Sequence, residues 1–191
     1  MSADSLIIQH FSGIASVTSF ELVKKLFSIS SIFIFFISPM WPAFSEAIQK
    51  GDIIWAKNAI YTSMKLLIGI AALLLLPFLL FGKKIFLIWI GPGFEPSYII
   101  LLGFYLFSLI SLFGGIVASL FNSSIFLKRQ LKVVSIASIS TLIAKLFFIK
   151  YYGLDYVIWA NVLCFIVFFV WPSLREIDKF FNIQLKSSIK N

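Results

Sequence analysis

Long apolar runs alternate with short polar segments along this chain, and each run is close to the length that crosses a bilayer. Stretches 26–45, 62–82, 97–121, 133–150 and 156–173 are rich in Leu, Ile, Phe and Val, and within them charge is confined to the edges apart from Lys65 and Lys145. A hydrocarbon core of about 30 Å takes about 20 helical residues, so the pattern predicts five complete spans. Backbone N–H and C=O groups find no water in hydrocarbon, and spans of this length must be helices that satisfy their own hydrogen bonds. The expected fold is an all-α polytopic membrane protein, a single bundle over 1–191 with no internal domain boundary.

Composition agrees. The chain is 60% hydrophobic and 13% charged, with mean hydropathy +1.01, whereas ordinary soluble domains are about 25% charged. The net charge of +8 comes from basic residues in small groups between spans, not from a continuous stripe, which argues against nucleic acid and for anionic phospholipid as the counter-charge. Cys164 is the only cysteine and His10 the only histidine, so neither an intrachain disulfide nor a Cys/His metal site is expected, and no cofactor is implied. Asp4 stands where a signal peptide would be basic, and no processing is expected.

Basic residues also orient the bundle. One side collects Lys50, Lys57, Lys65, Lys128, Arg129, Lys132, Arg175, Lys179, Lys186 and Lys190, ten in all, against six on the other: Lys24, Lys25, Lys83, Lys84, Lys145 and Lys150. Ten against six places the 174–191 tail and the loop around Gly51 in the cytoplasm. Trp41, Trp55, Trp89, Tyr98, Tyr151, Tyr152, Trp159 and Trp171 fall near span ends, where amphipathic rings anchor at the interface.

Pro39 and Pro42 are expected to kink or end the first span, and Pro77 to bend the second, as a hinge or as a tolerated bend whose freed carbonyl finds a hydroxyl. Between them, 43–57 reads as two short amphipathic helices joined at Gly51-Asp52. Gly51 takes a left-handed position that ends the first helix, Asp52 caps the second, and Ile48, Ile54 and Trp55 are buried at the interface with Lys50 and Lys57 exposed. Ser111, Gly115 and Ser119, with Gly114 and Ala118 beside them, have helix-packing spacing and serve either static packing or a sliding seam. Asn122, Ser123 and Ser124 read as a helix cap. Gly91-Pro92-Gly93 and Pro96 make a tight turn on the external side.

The run Pro39-Met40-Trp41-Pro42-Ala43-Phe44-Ser45-Glu46-Ala47, followed after a short spacer by Gly51-Asp52-Ile53-Ile54-Trp55, resembles the signature after the eighth helix of bacterial O-antigen flippases and related polysaccharide exporters, members of the multidrug/oligosaccharidyl-lipid/polysaccharide superfamily. Asp4-Ser5-Leu6-Ile7-Ile8, with Gly13, Val17 and Phe20, resembles the end of the seventh helix and its turn, so 1–20 is read as the partial end of a sixth crossing. Gly82, Phe86, Trp89 and Gly91 resemble the external turn after the ninth. The resemblance covers nearly all 191 residues but only the second of the family's two similar halves. It implies translocation of an undecaprenyl-pyrophosphate-linked oligosaccharide across the bacterial plasma membrane, through a cavity walled by both halves. The expectation is therefore a half that works with a partner half or other polysaccharide-assembly membrane proteins, or else a truncated reading frame, a mis-called start or a non-functional fragment.

Ionisable groups inside spans are costly and hence transport candidates. Asp4, Lys65 and Lys145 are the cavity candidates, although both lysines are also within snorkelling reach of an interface. His10 is either a proton carrier or an interfacial side chain. The motif and kink positions are Pro39, Pro42, Glu46, Gly51, Asp52, Trp55 and Pro77. An antiporter of the same superfamily would be expected to bury more acidic groups. A membrane glycosyltransferase or polymerase would gather its groups in a sizeable external loop, whereas Glu21, Glu95 and Asp155 stand isolated in short ones. No catalytic set is expected.

Overall fold

Gly13 turns the chain back on itself inside a segment that is otherwise helical. The computed structural model describes residues 3–122 and 127–188. Its first helix, α1 (Ala3–Phe27), has φ 82° and ψ 173° at Gly13, a conformation in which a side chain is strained. The result is a helical hairpin. The Ser5 hydroxyl donates to Glu21 Oε1 at 2.9 Å, whereas a straight helix would hold two residues with that separation about 24 Å apart.

Past the hairpin, the chain enters a 3₁₀ stretch (Ser28–Phe33), then α2 (Ile34–Ile37) and α3 (Met40–Gln49). The 26–45 run, expected as one span, is thus three helical pieces. Serine and proline change its winding and leave the backbone right-handed helical. Ser28 Oγ donates to the Lys25 carbonyl at 2.6 Å, a local bond that competes with regular α-helix. Pro39 is the N-cap of α3 and Pro42 lies in its first turn, where a missing N–H leaves no hydrogen bond unmade. The two prolines start a helix.

At the next corner Gly51 has φ 78°, and Asp52 Oδ1 accepts the Trp55 N–H at 3.2 Å, the cap that begins α4 (Ile53–Leu80). No separate interfacial helix forms there, because α4 runs on through Pro77. Ile53 is the residue that packs inward, while Ile54 and Trp55 face out. The Tyr105 hydroxyl donates to the Ala72 carbonyl at 3.3 Å, beside the Leu73 carbonyl that Pro77 leaves without its helical donor. Then come α5 (Gly82–Trp89), α6 (Tyr98–Asn122), α7 (Leu127–Tyr152), a 3₁₀ turn (Leu154–Tyr156), α8 (Val157–Phe165), a π-helical stretch (Ile166–Val170) and α9 (Trp171–Ser188). Ser123 and Ser124, expected as a cap, and Lys190 of the tail lie outside the described residues.

Among the described residues there is no strand, and four helical stretches are long and apolar enough to cross a membrane: Ile53–Leu80, Tyr98–Phe121, Leu131–Tyr152 and Leu154–Gln184. This is the all-helical architecture of a membrane-embedded protein. The 174–191 segment, expected as a plain tail, is helical through Ser188 and docks on the bundle. Its Ile177, Phe180 and Phe181 are buried, and the Tyr61 hydroxyl of α4 donates to Asp178 Oδ1 at 2.6 Å.

Two hydrophobic cores lie along the bundle. One gathers Phe44, Ile60, Ile116, Leu120 and Phe181 at the end where α4 begins and α9 finishes. The other gathers Ile8, Phe20, Phe27, Leu101, Phe104 and Ile158. Helix α6 runs through both, and small residues set its distance from its neighbours. A Cβ at Gly115 would stand 3.2 Å from Ile37 Cδ1, one at Gly114 3.3 Å from Phe169 Cε1, and one at Gly103 would overlap Ile158 Cγ2.

Candidate functional site

Between the two cores the packing turns polar. Ser28, Ser30 and Ser31 of the 3₁₀ stretch face Ser108 and Ser111 of α6 across a cleft of about 320 Å³. A second lobe of about 150 Å³ shares Ser28, Ser30, Ser108 and Ser111 and extends to Asp4, Lys24 and Asn161. Ser108 sits ten residues into α6, about 15 Å along its axis, close to the middle of a hydrocarbon layer of about 30 Å. Polar groups at that depth are expensive unless they are partnered or serve a ligand.

Hydrogen-bond chemistry biases the lining toward acceptance. Ser108 donates its only proton to the Phe104 carbonyl at 2.8 Å and Ser28 donates to Lys25, so both present lone pairs. Asn161 of α8 is only 6% exposed, lines the cleft, and makes no side-chain hydrogen bond among the described residues. Its amide opens into the cleft, where both its donors and its acceptor are free for a ligand or for water. Nothing in the packing of α8 explains its presence.

An ion pair closes one end of the cleft. Lys145 Nζ of α7 meets Asp4 Oδ1 of α1, and Lys145 is 6% exposed. The Gly13 hairpin delivers Asp4 there, because it lays the first turn of α1 beside Glu21 and Lys24. Lys24 Nζ in turn pairs with Glu21 Oε1 at 3.2 Å. Asp4 and Lys145, singled out separately in the sequence, are thus one feature.

Other candidates lie elsewhere. Lys65 is exposed on α4 and does not line the cleft. His10 is at the exposed hairpin tip, its ring edge-on to Phe11 with centroids 5.1 Å apart. Glu46, Gly51, Asp52 and Trp55 form the α3–α4 corner at the opposite end of the molecule, where Glu46 pairs with Lys50 at 2.5 Å. Ser30, Ser31, Ser108 and Asn161 carried no sequence signal beyond their polarity within apolar runs. Among the described residues no group of His, Cys, Asp and Glu is placed to hold a metal ion. No protein-family model, no curated protein and no solved structure matches this chain.

Proposed function

We propose that the chain supplies one wall of a pathway carrying a lipid-linked oligosaccharide, of the undecaprenyl-pyrophosphate type, across the bacterial plasma membrane, and that a second bundle completes the pathway. The single observation behind this reading is the serine-lined cleft with its unpartnered Asn161 midway through an apolar bundle. Hydroxylated cargo entering hydrocarbon loses hydrogen bonds to water, and serine hydroxyls and an amide are replacements for them. The resemblance of 39–55 to the polysaccharide-exporter signature names the cargo class, and Lys24 at the cleft end, in a part-exposed pair with Glu21, is a cation for which an anionic linkage can compete. The activity is transport, and no bond of the cargo is made or broken.

The test is complementation in a flippase-deficient strain, scored by surface glycan. Residues 1–191 alone are expected to fail, and co-expression with an N-terminal half is expected to restore export. Asn161→Leu is expected to abolish the rescue. Full rescue by the chain alone, or rescue indifferent to Asn161→Leu, contradicts the reading.

A further inference from the structure

The α4–α9 contact carries a charge imbalance that the transport reading does not use. The Tyr61–Asp178 hydrogen bond sets the register of the two helices, and topology makes them antiparallel, since α4, α6, α7 and α8–α9 succeed one another as alternating crossings. Lys65 lies four residues from Tyr61 and Arg175 three residues from Asp178, both displaced toward the bundle centre by about 4.5–6 Å. They therefore stand at one depth, and both are exposed. Lys57, one turn before Tyr61 on the same face of α4, lies farther out.

The described carboxylates of this end leave a basic excess. Asp178 accepts from Tyr61, Glu46 pairs with Lys50, Glu176 pairs with Lys179 at 3.6 Å, and Asp52 caps α4. Lys57, Lys65 and Arg175 make no ion pair among the described residues. The Arg175 guanidinium instead lies over the Trp171 ring, 4.9 Å from its centroid. Asp178 and Asp52 hold neutral donors and keep their charge, so these three cations outnumber the carboxylates that no ion pair neutralises.

Depth decides which anion serves them. The Leu154–Gln184 helix spans 31 residues, about 46 Å, against a hydrocarbon layer of about 30 Å. With Tyr151 and Tyr152 at one interface, hydrocarbon ends about 20 residues along, at Trp171 to Arg175, where an indole and a guanidinium suit the headgroup level. Exposed Leu66 beside Lys65 and exposed Leu174 beside Arg175 supply surface for acyl chains. We propose that Lys57, Lys65 and Arg175 form a binding site for the headgroup of an anionic phospholipid, seated across the α4–α9 junction.

The full chain is reconstituted in phosphatidylcholine vesicles carrying trace spin-labelled phosphatidylglycerol or phosphatidylcholine, and the motionally restricted fraction of each is read by electron spin resonance. Phosphatidylglycerol is expected to be favoured about fivefold, the order produced by one basic residue at an anionic surface. Lys65→Gln with Arg175→Gln should bring the ratio to about 1, while Lys83→Gln with Lys84→Gln, the same charge change at the other end, should leave it in place. Inorganic phosphate at equal concentration should not displace the lipid. A ratio of 1 in the unaltered protein overturns the proposal, and so does an equal loss in both double variants, or displacement by phosphate.

Discussion

Asp4 and Lys145, 141 positions apart in the chain, form an ion pair between α1 and α7 inside the bundle. A buried pair contributes little over apolar packing of the same volume, yet removing one partner strands the other charge at a cost of about 3–5 kcal/mol. Lys145→Met alone should destabilise the protein by that order in a denaturant titration in detergent micelles, and adding Asp4→Asn should recover most of the loss. Equal losses in the single and double variants would show that the two side chains do not depend on each other.

Asn161 invites the opposite substitution. With no partner among the described residues, its amide lends the fold no hydrogen bond, so Asn161→Leu should hold or raise stability, by up to about 1 kcal/mol, while removing transport, as stability and function trade off at sites kept for ligands. Thermal unfolding read beside the complementation assay checks both halves. Loss of stability would mean that the amide is held by the fold.

Gly13 and Gly103 test two different roles of glycine. Gly13→Ala has open space around it but a backbone that resists a side chain, at about 1–3 kcal/mol. It should weaken the hairpin, measured as slower disulfide formation between Ser5→Cys and Glu21→Cys in a Cys164→Ser background. Gly103→Ala keeps a relaxed backbone but collides with Ile158, so it should lower unfolding stability by about 1–3 kcal/mol without slowing that crosslink.

The α3–α4 corner should respond weakly to pH. Its hydrogen bond to Lys50, and then the lysine's charge, hold the Glu46 carboxyl below its ordinary 4.5, and the same contacts raise Lys50 above 10.5. A depressed carboxyl contributes stability that is present above pH 4.5 and lost as pH falls through its lower folded value; a raised ammonium contributes stability that is complete below 10.5 and lost as pH climbs past its higher folded value. Protection of the amides from Lys50 to Ile53, corrected for intrinsic exchange, should fall at both extremes in the unaltered protein, and not in Glu46→Gln.

Much of this architecture was legible in the sequence because bilayer length and local turn chemistry act over short ranges. The α6 and α7 spans, the Gly51 turn and the Asp52 cap arise from neighbouring residues alone. The 26–45 run is wound irregularly where composition alone suggests a uniform helix, because Ser28 and Pro39 act through individual hydrogen bonds. Asp4 and Lys145 stood out as ionisable groups in apolar surroundings, but their partnership depends on a turn at Gly13 and a contact across the fold. Ser30, Ser31 and Ser108 look like ordinary serines in membrane helices, and only their convergence on Asn161 distinguishes them. The docking of α9 rests on Ile177, Phe180 and Phe181 spaced along a segment whose net polarity suggested a tail.

Thiol accessibility tests directly whether water reaches the polar cleft inside the lipid-solvated bundle. In a Cys164→Ser background, Ser111→Cys in the cleft and Leu73→Cys, 71% exposed on the outer surface of α4, are treated with a membrane-impermeant maleimide in sealed and permeabilised vesicles. The cleft position should label and the lipid-facing position should not. Protection of Ser111→Cys together with labelling of Leu73→Cys would contradict the account.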